Sequence, residues 1–283
     1  MRSNLFDRSL IERNLVAPGT PFVAHYTSIN TLVHFLKPVL DSNGAREGWT
    51  SAFASPIQFL NDRQELRLGL ATLSRAATGV GVSTAVKGIL QELSTSNGDQ
   101  RSDPFQMSFS GSPDELGQWR GYGKNGYGCS IQTDVSSLHS ISAISGCVIY
   151  EPVDQDRFAK SVLECIAELD DPLLIQQYLS AAASFIKHPG FQQENEYRVI
   201  VFPDVSTVQY RAVGDRITQY VDLLTDHPLS VRQILIGPAW QLSTLTATEF
   251  ENHHVVQPIR RLLNAARQES ALLMPSSIPY DPE

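Results

Sequence analysis

Glu194 and Glu196 stand one residue apart at the entry to the apolar run EYRVIVFP (196–203). In an extended chain, side chains at i and i+2 share a face. Two carboxylates so placed raise each other's proton affinity and repel, unless a cation, a hydroxyl or a cationic transition state lies between them. Arg198 continues that face and can compensate one charge. A second pair, Ser108 and Ser110, flanks Phe109 and by the same alternation lies opposite it. A third group, His25 and Tyr26, ends the strand-like run FVA; an imidazole donates to ribose hydroxyls or phosphates, and a phenol stacks and donates. Trp119 and Tyr122 follow at helical spacing and could line an aromatic wall. One chemistry suits the whole set. A cationic leaving group on a sugar, such as nicotinamide on ribose, departs through an oxocarbenium-like state; a carboxylate stabilises the positive charge, an aromatic cradle holds the flat ring, and no metal is required.

Each group also has an ordinary structural reading. His25 can bond backbone at a helix start, the serines can fill space before a turn, and Trp119 and Tyr122 can belong to the core. Glu194, Glu196 and Arg198 can form an ion pair at a sheet edge. Asn61 and Asp62, in NDRQE (61–65), read mainly as a helix cap. A metal-dependent hydrolase or nuclease built on Glu194, Glu196 and Asp62 has less support, because no His/Asp/Glu cluster has ligand spacing. His253 and His254 are adjacent and diverge on a helix, so they read as surface.

The elements that must position these groups follow from periodicity. Residues 22–26 read as a strand, with Ser28 or Asn30 capping a helix that carries Thr31, Leu32, Phe35 and Leu36 on one face. GWTSAFA (48–54) reads as extended, and residues 61–77 and 84–94 as helices. PFQMSFS (104–110) alternates as a strand, and SPDELGQWRGYG (112–123) opens with a helix-start signal. Strands are expected at 127–134, 146–152, 196–203, 207–213, 217–224 and 231–238, two helices over 154–187 with a break near Asp171-Pro172, and a helix over 242–267. The later strands follow at hairpin-like spacing without regular βαβ alternation, which predicts an α+β fold: a mostly antiparallel mixed sheet core with flanking helices. The expected organisation is an N-terminal extension (1–20), one α+β domain (21–268) with a helical insertion near 154–187, and a loose C-terminal tail (269–283). No G-x-G-x-x-G follows the first strand and no phosphate-loop motif occurs.

Composition narrows the class. A net charge of −8 over 283 residues and a pI near 5.4 disfavour broad nucleic-acid binding and an anionic membrane surface. Three cysteines (Cys129, Cys147, Cys165) without C-x-x-C spacing read as free thiols rather than a disulfide framework or zinc site. With neither a signal-like nor a membrane-length apolar run, the expectation is a soluble cytoplasmic protein.

The ordered set HYTS (25–28), LNDRQE (60–65), SFSGSPDELGQWRGYGKNGYGCSI (108–131), ENEYRVI (194–200) and ILIGP (234–238) resembles the bacterial domain-of-unknown-function family 2971, over roughly residues 20 to 240. Where that family commonly has Asn-Asp-Pro, this chain has Asn61-Asp62-Arg63, which leaves the turn less rigid. The family in turn is remotely similar to ADP-ribosyltransferases, in which a first-strand His or Arg contacts NAD, a Ser-x-Ser motif supports the ribose side and a Glu-x-Glu motif brings the catalytic carboxylate. The resemblance implies an ADP-ribosyltransferase-like fold and glycosyl transfer from NAD to a protein or nucleic-acid acceptor, in a toxin or phage-defence setting with an antitoxin or regulatory partner. It implies Glu196 as the catalytic residue and Glu194 as positioning the acceptor or the ribose. His25, Tyr26, Ser108, Ser110, Trp119 and Tyr122 become the NAD-binding set. The alternative is a non-catalytic module that binds a nucleotide or a protein in regulation or immunity.

Overall fold

The period-2 runs fold as strands and the 3.6-period runs as helices in a computed structural model, which describes residues 7–15, 18–36, 40–41, 44–45, 52–57, 63–95, 104–138, 143–213, 215–223, 229–266 and 268–282. Among the described residues the strands are β1 (Phe22–Thr27), β2 (Leu40–Asp41), β3 (Gly44–Ala45), β4 (Phe53–Pro56), β5 (Phe105–Ser110), β6 (Cys129–Asp134), β7 (Ile144–Cys147), β8 (Glu196–Val201), β9 (Gln209–Val213), β10 (Arg216–Asp222), β11 (Gln233–Ile236) and β12 (Leu272–Pro275). The fold is α+β with a mixed, mostly antiparallel open sheet, as the hairpin-like spacing predicts. Contacts group the chain into two compact units, the first from Met1–Pro18, Phe53–Ser108 and Ser142–Val221, the second from Gly19–Ala52, Phe109–Ile141 and Asp222–Glu283.

In the first unit β7 and β8 run antiparallel from Ile144↔Ile200 to Cys147↔Tyr197, β8 also neighbours β5, and β4 pairs β5 at Ser55↔Gln106. The helices Arg63–Ala76, Thr84–Thr95, Pro152–Ile166 and Pro172–Ala183 bury one apolar core that includes Leu73, Val86, Phe158, Leu163, Tyr178 and Leu179. The expected break near Asp171-Pro172 is a capped helix start. Asp171 Oδ1 accepts from the N–H groups of Leu173 and Leu174, at 2.9 and 3.3 Å, and Pro172 occupies the first turn, where a missing N–H costs nothing. Gly69 permits the helices Arg63–Ala76 and Pro172–Ala183 to touch, since a Cβ there would lie 2.1 Å from the Ala183 carbonyl oxygen. Gly69→Ala is therefore expected to force the helices apart and to destabilise the protein by about 1–3 kcal/mol despite the better helix propensity of alanine. Urea unfolding checks this, and an unchanged or raised midpoint would contradict the close approach.

In the second unit β1 pairs β6 antiparallel from Phe22↔Asp134 to Thr27↔Cys129, β6 pairs β11, and β11 pairs β12 in parallel. Ser28 caps the helix Ile29–Phe35 by accepting from the Thr31 N–H at 3.0 Å, and that helix buries Leu32 and Phe35. Two expectations need correction. The single helix over 242–267 is two, Ala247–Asn252 and Val256–Ala265, because His253 turns to an extended backbone between them. The tail is not loose. Residues Leu272–Pro275 add β12 beside β11, and Asp114 then holds Ser276 and Ser277. It accepts from Ser276 Oγ at 2.5 Å, Ser277 N at 2.7 Å and Ser277 Oγ at 2.8 Å. The tail sequence lacks periodicity, and its order comes from pairing with β11 and from distant partners such as Asp114 and Asn125. Among the described residues no helix is long and apolar enough to cross a membrane. The Asn61-Asp62 cap lies outside the described residues.

Candidate functional site

The Glu-x-Glu pair enters a cluster of buried charge in the first unit. Glu194 closes the short 3₁₀ turn Pro189–Glu194, and Asn195 takes a left-handed backbone with φ of 44° before β8 begins at Glu196. The two glutamates are thus not neighbours along one strand, as simple alternation would have it. Their carboxylates still converge, because both reach Lys187. The Lys187 ammonium lies 2.5 Å from Glu194 Oε2, 3.1 Å from Glu196 Oε2 and 2.7 Å from Glu65 Oε1. Its side chain is only 3% exposed, and the ring of Phe191 lies 5.1 Å from Nζ.

Arg198, also 3% exposed, closes the other side. Its Nε donates to Glu196 Oε1 at 2.8 Å and its Nη2 to Glu196 Oε2 at 2.6 Å, a bidentate pair. Nη2 also reaches Glu65 Oε2 at 2.7 Å, and Nη1 donates to the Ser184 carbonyl. The Ser108 hydroxyl donates to the Glu196 carboxylate, and the Gln106 Nε2 donates to Ser108 Oγ at 2.8 Å. The Tyr150 hydroxyl accepts from the Glu196 N–H at 3.0 Å. The backbone that carries Lys187 is fixed by Gln155, whose buried Nε2 serves the carbonyls of Ile149, Tyr150 and Lys187 at 2.9, 2.9 and 2.8 Å.

Three carboxylates thus surround two cations. Burial raises the Glu196 carboxyl, but the Arg198 charge and hydrogen bonds, with Lys187 and Ser108, outweigh burial and hold it down at about 2. Glu196 is therefore an anion at neutral pH. Burial pushes Glu194 up, and its bond to Lys187 pulls against that shift. Burial lowers the proton affinity of Lys187, but Glu196, Glu194 and Glu65 more than restore it, so Lys187 stays charged. The openings of the cluster are at Glu65 and Glu194, each about one-fifth exposed, and at the partly exposed Ser108. The Lys187 ammonium stands between the carboxylates of Glu194 and Glu196. Among the described residues no group of three His, Cys, Asp or Glu has the geometry to hold a metal ion.

The other sequence candidates lie in the second unit. His25 is half-buried, its ring 5.6 Å from that of Phe35 and 5.8 Å from that of Phe109. Tyr26 is buried; its hydroxyl donates to the Ser112 carbonyl at 2.7 Å and accepts from the Glu115 N–H at 3.0 Å. Trp119 is 0% exposed, meets Tyr26 edge-on at 4.9 Å and donates from Nε1 to Asp114 at 2.7 Å. This is the core reading of Trp119: a fully covered ring has no face left for a flat ligand. Tyr122, by contrast, is 45% exposed. Ser110 is buried and accepts from the Ser112 N–H at 3.0 Å, so it closes a turn. Lys187, Glu65, Tyr150, Gln155 and Gln106 are absent from the sequence reading as site residues. Glu65 carries a usable signal, since it ends the quoted NDRQE block; Lys187, just beyond an alanine-rich helix end, carries none.

No curated protein and no solved structure matches this chain. The profile of the family described as Protein of unknown function (DUF2971) matches residues 118–199, a segment that holds Trp119, Tyr122, Lys187, Glu194, Glu196 and Arg198, and over that segment the chain is similar to that family.

Proposed function

We propose that this chain is an ADP-ribosyltransferase-like enzyme, in fold and in chemistry, that takes NAD as donor and modifies a protein or nucleic-acid acceptor. The observation that carries the reading is the convergence of Glu194 and Glu196 on Lys187, with Arg198 and Ser108 also holding the Glu196 carboxylate. It joins two of the three ordered motifs, Ser-x-Ser and Glu-x-Glu, in one unit and supplies a fixed negative charge. In the proposed step the bond from ribose C1′ to the nicotinamide nitrogen breaks and nicotinamide leaves with the electron pair. The positive charge left on the ribose is stabilised by the carboxylates of Glu196 and Glu194. The acceptor nucleophile then bonds to C1′ and releases a proton. A toxin or phage-defence effector, held in check by an antitoxin or regulatory partner, is the setting this chemistry fits.

The test is nicotinamide release and transfer of label from NAD in cell extract. Wild type is expected to turn NAD over. Glu194→Gln, at a partly exposed position where the amide oxygen can still accept from Lys187, is expected to lose at least tenfold, and Glu196→Gln more, after correction for the folded fraction. No turnover by wild type, or equal turnover by all three, sinks the enzyme reading.

A second reading has its own observation. Both oxygens of Glu196 already accept from Arg198, and Oε2 also from Lys187, so the carboxylate is occupied before any ligand arrives. This favours a non-catalytic module of the same fold. NAD or ADP-ribose that binds without nicotinamide release would decide for it.

A further inference from the structure

We propose that Gln106 is a ligand-binding residue of this site, whose side-chain carbonyl accepts a hydrogen bond from the nicotinamide-riboside half of NAD; the assignment rests on the NAD reading above.

Glu196 is an anion whose oxygens only accept, so the single Ser108 proton is committed to it. The Gln106 amide N–H then points at Ser108 Oγ, and the chain of donors runs Gln106 to Ser108 to Glu196. This orientation leaves the Gln106 Oε1 at the head of the chain. Gln106 is 3% exposed, and Oε1 has no hydrogen-bond partner among the described residues. A buried amide oxygen left so is costly, and such a group calls for an explanation. The neighbouring elements do not supply one. Gln106 pairs through its backbone with Ser55 of β4, and its own β5 offers Ser108, whose proton is already used. Ser108 is the partly exposed member of the chain and shares a face of β5 with Gln106, so a ligand at Ser108 lies beside Gln106 and meets its covered Oε1 once the amide turns outward.

The chemistry selects the ligand. Gln106 Oε1 and the partly exposed Glu194 offer acceptors, while Lys187 and Arg198 are taken up by the three carboxylates, which outnumber them and leave the wall net negative. Phosphate groups are acceptors and anions and are repelled here. The nicotinamide-riboside half has ribose hydroxyls, a carboxamide N–H₂ and a cationic ring, all of which such a wall binds.

Calorimetric titration with NAD and with ADP, together with thermal melting of the free protein, tests this on wild type and Gln106→Met. Methionine fills the same volume without a polar atom. The variant is expected to lose roughly tenfold in NAD affinity, to bind ADP as wild type does, and to melt no lower than wild type. Unchanged NAD affinity overturns the assignment while the NAD reading stands. So does a lost affinity that comes with a lowered melting temperature, which marks Gln106 as purely structural. An equal loss for ADP would place the donor on the adenylate half and also overturn it. Wild type that binds no NAD overturns the functional reading and this assignment together.

Discussion

Replacing Arg198 by methionine is expected to destabilise the protein by about 3–5 kcal/mol at neutral pH, the cost of taking its bidentate partner from a buried carboxylate that keeps only Lys187 and Ser108. The side chain removed bonds both oxygens of Glu196 and one of Glu65, and Glu196 is 8% exposed, so water cannot replace it. The sign of the pH dependence follows. In wild type Glu196 is held at about 2, below its ordinary 4.5. It therefore contributes stability that is complete above the ordinary value and is lost as pH falls toward the depressed one. Without Arg198, burial dominates and protonation relieves the variant, so the gap between the two proteins is expected to narrow as the pH approaches about 4. Urea unfolding at neutral and acid pH measures this. The double variant Glu196→Gln with Arg198→Met is expected to be more stable than Arg198→Met alone, because the stranded charge is gone. A single variant as stable as wild type would mean that the cluster is open to water.

Trp119→Ala is the second large effect expected, at about 3–5 kcal/mol, through the cavity left by a fully covered indole. The ring packs with Ala24, Tyr26 and Leu235, with Ile278 against them, and its N–H serves the Asp114 carboxylate that also holds the tail. Its loss is thus expected to loosen residues 276–278 as well, seen as earlier proteolytic cleavage there. Trp119→Phe keeps most of the volume and is expected to leave nicotinamide release within about twofold, since the ring has no exposed face. A large loss of release in Trp119→Phe with normal stability would restore this residue to the ligand.

How much of this was legible in the sequence depends on whether the interaction was local. Ser28 as a cap and Asp171-Pro172 as a helix start were readable because each satisfies a backbone group two or three residues away. The Glu196–Arg198 pair was readable because strand alternation is also local. Lys187 was not. Its bond to Glu65 spans a chain distance over which no periodicity operates, and an isolated lysine reads as solvent-facing. The strap over Ser276 and Ser277 was hidden for the same reason, since its partner Asp114 belongs to the block read as a helix-start signal. The family match was narrower than the motif order implied: it begins at residue 118, after the Ser-x-Ser strand, and ends within β8.

Each compact unit draws on three separate stretches of chain. The protein therefore has no cut point at which one half can be expressed without the other. A break between residues 109 and 141 would divide the second unit, and one between 53 and 108 the first. Serial truncation would report every segment as essential and assign function to none. Point substitutions that leave the chain whole are the instrument suited to dissecting this molecule, and recombination between relatives is expected to succeed by exchange of loops rather than of contiguous halves.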